Sequence, residues 1–177
     1  MINEASLNPK PQNNNAKIAF LLAILISAIG FVTYFSIDRY RGIVGLFALF
    51  TLVTAILFYT KYISPEFHYD ITHDSENTPI FVVRQIIGKR QTTLCRIDLS
   101  DIKEIRRVNK SERRAHKTPS GYRKYVYSPT LFPSEVFILT VIGRYERAEI
   151  IIEGDGGFVK LLEEGAAEAR QALLSEE

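Results

Sequence analysis

Few residues in this chain of 177 could do chemistry. His68, Asp70, His73 and Asp74 bring potential metal ligands close together. On an extended strand side chains alternate, so His68 and His73 fall on opposite faces, and no third cluster completes a site. Metal binding is therefore not expected, and the four read as solvated strand residues. Cys95 is the single cysteine. It sits in a strand-like run with no recognisable base beside it, which suits a packed thiol better than a nucleophile. One cysteine forbids an intrachain disulfide and fits a reducing compartment. His116 stands among cations with no carboxylate neighbour. No Ser/His/Asp order is present, and Gly154-Asp155-Gly156-Gly157 lacks the lysine and spacing of a phosphate loop. With no catalytic constellation, neither enzymatic activity nor a cofactor is expected.

The remaining chemistry is charge. The net charge of +2 hides an uneven distribution. From Arg84 to Lys124, thirteen basic residues face four acidic ones, a surplus of nine; from Leu131 onward, ten carboxylates face four cations. The chain after residue 65 thus reads as electrically polarised. Its most basic part is a loop over residues 109–134, nearly devoid of aliphatics between Asn109 and Tyr125. The candidate contacts for an acidic surface are Lys110, Arg113, Arg114, Lys117, Arg123 and Lys124. Near an anionic leaflet each such residue contributes about 1 kcal/mol. Tyr122, Tyr125, Tyr127, Leu131 and Phe132 could add interfacial contacts; a merely solvated loop is the competing reading. Nucleic acid is not expected, since no base-reading module accompanies the run.

A membrane would hold such a loop near headgroups, and the chain supplies the means. Residues 18–63 form two apolar runs, Ile18 to Ile37 and Ile43 to Tyr62, broken by Asp38-Arg39-Tyr40-Arg41-Gly42. Each is long enough to cross about 30 Å of hydrocarbon as a helix. The first holds no ionisable residue, and the first charge of the second is Lys61, near its end. A cleaved signal peptide would have a shorter apolar core and no second span. Buried soluble helices would show a polar face, and these show none. The short connection makes the spans antiparallel neighbours. Ala19, Ala23, Ser27 and Gly30 line one side of the first, and Gly45, Ala48, Thr51 and Ala55 one side of the second. Small residues at this spacing let helices approach closely in lipid.

Two spans put both ends of the chain on one side. Lys10, Lys17 and Lys61 flank that side, against Arg39 and Arg41 on the other. The basic loop and the lack of disulfides tip the expectation to a multi-pass cell-membrane protein with both termini in the cytoplasm. Residues 1–17, polar and Asn-rich, read as a disordered tail.

Residues 65–177 read as one small domain. Glu66 to His73 alternates, with Phe67, Tyr69 and Ile71 on one face. Pro79 to Ile87 and Arg90 to Ile97 form a hairpin about Gly88-Lys89, and Leu99 to Val108 suggests another strand. Tyr125 to Leu131 could start one more. Glu135 to Ile142 and Arg147 to Glu153 form a second hairpin. The chain closes with one amphipathic helix, with Asp155 as its cap and Phe158, Leu161, Leu162, Gly165, Ala169, Ala172 and Leu173 on its apolar face.

This layout resembles bacterial two-span membrane proteins with a pleckstrin-homology-like domain. The likeness in residues is local, at Phe67-His68-Tyr69-Asp70-Ile71-Thr72-His73-Asp74 and at Ile97-Asp98-Leu99-Ser100-Asp101-Ile102-Lys103-Glu104-Ile105. The insertion from Asn109 to Ser134 is longer than a minimal member needs. The resemblance implies a membrane α-helical hairpin plus a small α+β domain: an antiparallel pleckstrin-homology-like β-barrel or sandwich closed by a C-terminal helix. The expected function is that of a non-enzymatic integral membrane protein. Its cytoplasmic domain would bind an acidic membrane surface, through anionic lipid headgroups, or a membrane protein partner. The alternative is an accessory or assembly subunit of a membrane enzyme or transporter complex, contacted through the small-residue faces of the hairpin.

Overall fold

The computed structural model describes residues 4–9, 14–36, 38–130, 133–144 and 146–176. They divide into two units: Gln12–Pro65, and Met1–Pro11 together with Glu66–Glu177. The expectations placed on Lys10, Leu131 and Phe132 lie outside the described residues.

The first unit is a helical hairpin of α1 (Asn14–Ser36) and α2 (Arg41–Phe58), the latter continuing into a π-helical turn over Tyr59–Ile63. In that turn the Ser64 amide donates to the Tyr59 carbonyl at 2.9 Å. The apolar segments Asn15–Ser36 and Arg41–Ile63 hold 22 and 23 residues. At ~1.5 Å per residue each is long enough to cross a membrane. Leu21, Leu25, Leu46 and Phe50 are all more than half exposed, so the outward faces are apolar. That suits a lipid solvent.

The seam between the helices is built from small residues. Ala48, Ala55 and Ser27 are buried, and Ala19, Ala23 and Gly45 are partly so. A β-carbon added to Gly30 would come within 2.8 Å of the Ala48 methyl, and one on Gly45 within 2.9 Å of the Tyr34 ring. Only glycine permits this approach at these two positions. Ser27 Oγ donates to the Ala48 carbonyl at 2.9 Å, a bond that joins α1 to α2. The hydroxyls of Thr33, Ser36 and Thr54 donate to carbonyls four residues earlier. Their hydrogen-bonding is thus satisfied inside the helices, as hydrocarbon requires.

The second unit contains two four-stranded sheets. β1 (Ala5–Leu7), β2 (Pro65–His73), β3 (Pro79–Ile87) and β4 (Arg90–Asp98) form one in that order. β5 (Ile102–Asn109), β6 (Arg123–Val126), β7 (Glu135–Ile142) and β8 (Arg147–Ile152) form the other, ordered β5-β7-β8-β6. A 3-10 turn over Leu99–Asp101 carries the chain from one sheet to the other, α3 (Lys110–Ala115) follows β5, and α4 (Gly156–Glu176) closes the chain.

Three expectations are corrected. The sheets remain separate and do not close into a barrel. The tail is not wholly disordered: Ala5–Leu7 pairs with β2, Ala5 opposite Ile71 and Leu7 opposite Tyr69. Its two apolar residues pack against the core, a gain that the surrounding Asn and Pro concealed. The helix after it begins at Asn14, four residues ahead of the apolar run. Third, Val159 and Ala166 of α4 are buried, whereas Leu161 and Leu173 are exposed.

Alternation places the core. Phe67, Tyr69 and Ile71 of β2 meet Phe81 and Val83 of β3, Leu139 and Val141 of β7, and Ile150 and Ile152 of β8. α4 adds Phe158, Val159, Leu162, Ala166 and Ala169. The rings of Tyr69, Phe81 and Phe158 lie 6.2–6.4 Å apart. Asp155 caps α4, accepting from the Phe158 amide at 2.7 Å. Near its other end Arg170 donates to the carbonyls of Ile102 and Lys103 at 2.7 and 2.9 Å. Leu162 is wholly buried, so Leu162→Ala should cost about 2–5 kcal/mol. Leu161→Ala, on the exposed side, should be nearly silent. Chemical denaturation of the full chain in detergent measures both.

Candidate functional site

The basic segment is more ordered than its composition suggests. Asn109 ends β5 in extended conformation and turns the chain into α3. Its Oδ1 accepts from the amides of Ser111 and Glu112, both at 3.0 Å, and the Glu112 carboxylate accepts from the Asn109 amide at 3.1 Å. This is a capping box. Its sequence signal is Asn109 followed three residues later by Glu112. Glu112 is thereby engaged by the backbone. Lys110, Arg114, Lys117 and Lys124 are exposed, and Arg113 is half-buried. Arg123 is exposed as well, and its guanidinium lies 3.3 Å from Glu146.

The segment is fastened by a pair that sequence reasoning missed. His116, read as lacking a carboxylate neighbour, places Nε2 3.0 Å from both carboxylate oxygens of Glu149 on β8. On its other side Nδ1 lies 3.0 Å from Arg106 Nη2. A guanidinium only donates, so Nδ1 is the acceptor. Nε2–H is left to donate to Glu149. Glu149 is 3% exposed and sits beside Ile151, which clusters with Val108, Val136 and Ile138. These residues alternate with the core positions, so they form the outer face of the second sheet. His116 seats the 110–122 segment over that face. Sequence separation of 33 residues hid the pair. β6 follows the segment and pairs in parallel with β8, Lys124 standing opposite Glu149.

The strand cluster is dispersed. His73 lies 3.5 Å from Glu4, Asp70 3.4 Å from Arg84, and Asp74 is bonded to Arg96. The Glu76 amide, with smaller help from Ser75 and Arg96, holds the Asp74 carboxyl below its usual range. Among the described residues no group of three or more His, Cys, Asp or Glu is placed to hold a metal ion.

A further feature is a cleft of about 750 Å³ between β4 and β6, where the two sheets fail to join. Cys95, Ile97 and Tyr125 line it, over Val141, Ala148 and Ile150. Burial, with a contribution from Glu146, pushes the Cys95 thiol up to about 11. At neutral pH it is protonated, which disfavours the nucleophilic role further. Burial likewise raises the Asp101 carboxyl, and Asp98 adds to the effect.

Comparison with known proteins returns no match: no family model fits the chain, no curated protein is similar in sequence, and no solved structure matches it.

Two outcomes follow from this geometry. His116→Ala leaves Glu149 buried without its imidazole partner and should destabilise the fold by about 3 kcal/mol in chemical denaturation. A second change, Glu149→Leu, should recover most of that loss. For Cys95 the thiolate is the reactive form, so alkylation should keep rising with pH toward about 11 instead of levelling near 9. The sign for stability is the same: a raised thiol pKa favours the folded state below about 9, and that contribution fades as pH climbs to about 11.

Proposed function

We propose that this chain is a non-enzymatic integral membrane protein with a cytoplasmic interaction domain. In this reading both termini and the sheet domain lie on the cytoplasmic side. The domain docks its basic segment on anionic lipid headgroups. The observation that carries this reading is the construction of α3: a capping box occupies Glu112, and the His116–Glu149 pair anchors the following chain. The exposed cations Lys110, Arg114 and Lys117 are thus carried on a preformed support. Less conformational entropy is lost when they meet a charged surface than from a free loop. Together with the half-buried Arg113 they make four cations near such a surface, at about 1 kcal/mol each, enough for reversible docking of a domain already tethered beside it.

The likeness to pleckstrin-homology-like membrane proteins belongs to the same proposal. It is supported by the run of antiparallel strands followed by one packed closing helix, and the 109–134 insertion supplies α3 and β6. The accessory-subunit alternative draws less support, because the small-residue faces it relied on pack against each other within the hairpin.

The test uses the full chain with Cys95→Ser and an environment-sensitive fluorophore on Ser120→Cys, in nanodiscs. The emission should shift to the blue in anionic lipid but not in neutral lipid, and the shift should vanish at high salt. Lys110→Ser, Arg113→Ser, Arg114→Ser and Lys117→Ser together should abolish it. A shift that survives salt, or the fourfold change, would move the contact elsewhere; no shift would remove the lipid from the reading.

A further inference from the structure

The cleft between β4 and β6 brings two strand edges face to face without a ladder between them. Among the described residues β4 pairs only with β3, and β6 only with β8. Alternate amides and carbonyls of each strand therefore point into the gap. Leu94 is skipped in the β3–β4 register, since Val83 pairs with Cys95 and Arg84 with Thr93. Such a bulge bends its strand, and Cys95 to Asp98 beyond it form one wall of the cleft. At one end the Tyr127 side chain crosses the gap, and its hydroxyl donates to the Leu94 carbonyl at 3.4 Å. A tyrosine side chain plus that bond spans about 10 Å, or two strand spacings of ~4.8 Å. That reach leaves room for one added strand at this end.

Its lining alternates as a strand site requires. Val141, Ala148 and Ile150 make an apolar floor, with Ile97 and Tyr125 as walls. The rim is acidic at one end, where Asp98 and Asp101 stand near Gly143; Glu146 on the β6 side is paired with Arg123. Arg96 is committed to Asp74, leaving Arg144 as the basic residue of the rim. Burial raises both the Asp101 carboxyl and the Cys95 thiol, with smaller contributions from Asp98 and Glu146 and an opposing one at Asp101 from Lys103 and Arg144.

We infer that this cleft accepts a short extended segment of a partner polypeptide carrying a lysine or arginine among small apolar side chains. The segment adds as a strand between β4 and β6. Main-chain hydrogen bonds to the two edges hold it, its apolar side chains cover the floor, and its cation meets the acidic rim. β4 runs from Leu94 toward Asp98, away from the Tyr127 end, whereas β6 runs toward it. The added strand is therefore parallel to one neighbour and antiparallel to the other. A small apolar ligand would fill the floor but leave both edges unpaired; an extended backbone satisfies both.

The site is separate from the basic segment, and its test needs no lipid. The full chain in micelles of a neutral detergent is titrated with a fluorescent hexapeptide of alternating valine and lysine. Two controls replace lysine with glutamate or insert a central proline, which cannot donate to an edge. The valine–lysine peptide should bind saturably, and each control at least tenfold more weakly. At saturation it should slow alkylation of Cys95 several-fold. Asp98→Asn with Asp101→Asn should weaken binding several-fold at an unchanged melting temperature. Absence of binding at millimolar peptide, equal binding of the glutamate peptide, or binding that leaves Cys95 alkylation unchanged would each overturn the proposal. Because anionic lipid is absent throughout, these results stand apart from the lipid-docking test.

Discussion

A buried tyrosine hydroxyl sets the geometry of the sheet domain. Tyr69 is fully buried in the core, and its hydroxyl must find partners there or cost about 1–3 kcal/mol. It donates to the Tyr127 carbonyl at 2.6 Å and accepts from the Glu153 amide at 3.4 Å. Burial drives its ionisation far above the usual tyrosine range, so it remains a donor. One side chain from the first sheet thus grips the chain just past β6 and just past β8. Glu153 is held in turn by Ser128 and by the amide and hydroxyl of Thr130, the latter two at 2.9 and 2.7 Å. The sheets are pinned together at this end.

The consequences spread outward. Tyr127, fixed by Tyr69 through its backbone, extends its own ring across the gap to Leu94, parallel to the ring of Tyr125 at 6.2 Å. Beyond that crossing no strand pairing among the described residues joins β4 to β6, and the opening runs on to Asp101 and Gly143. The same β8 that supports β6 presents Glu149 on the opposite face, where His116 fastens the basic segment. An acidic opening and a basic outer face are therefore consequences of one strand having two sides. In the helical hairpin an analogous constraint acts: the Ala48 carbonyl receives both Ser27 and Thr51 hydroxyls at 2.9 Å, so close approach and hydrogen-bond satisfaction coincide at one residue.

What could be read from sequence was local or periodic. The two apolar runs, the hairpin at Gly88, the alternation of β2 and the Asp155 cap all depend on neighbours within a few residues. Gly88 has φ of 60°, the conformation that a two-residue turn asks of it. Long-range facts were hidden. Ala5–Leu7 has no alternating run long enough to mark a strand, and becomes one only because β2 offers an edge. β6 pairs in parallel with a strand more than twenty residues later, which no turn announces. Leu161 and Val159 both fit a helical stripe, and only the position of the sheet decides which is covered. The candidate cations were legible as a composition; which of them are answered by a carboxylate was not, since that depends on partners as distant as Glu146 for Arg123.

The charge pattern shows why this matters. In sequence the surplus of nine positive charges over Arg84 to Lys124 and the carboxylates that follow look like a domain with two poles. In the fold these stretches are adjacent strands, and the pattern is largely spent across their ladders. Arg107 meets Glu135, Arg123 meets Glu146, and Arg106 reaches Glu149 through His116. Exposed pairs of this kind add only about 0–1 kcal/mol each, but they lower the surface charge. Pairing thus leaves Lys110, Arg114, Lys117 and Lys124 exposed on the basic segment, and Asp98 with Asp101 at the cleft. At these two places recognition by charge draws on this remainder, because the paired charges beside it are already answered within the domain.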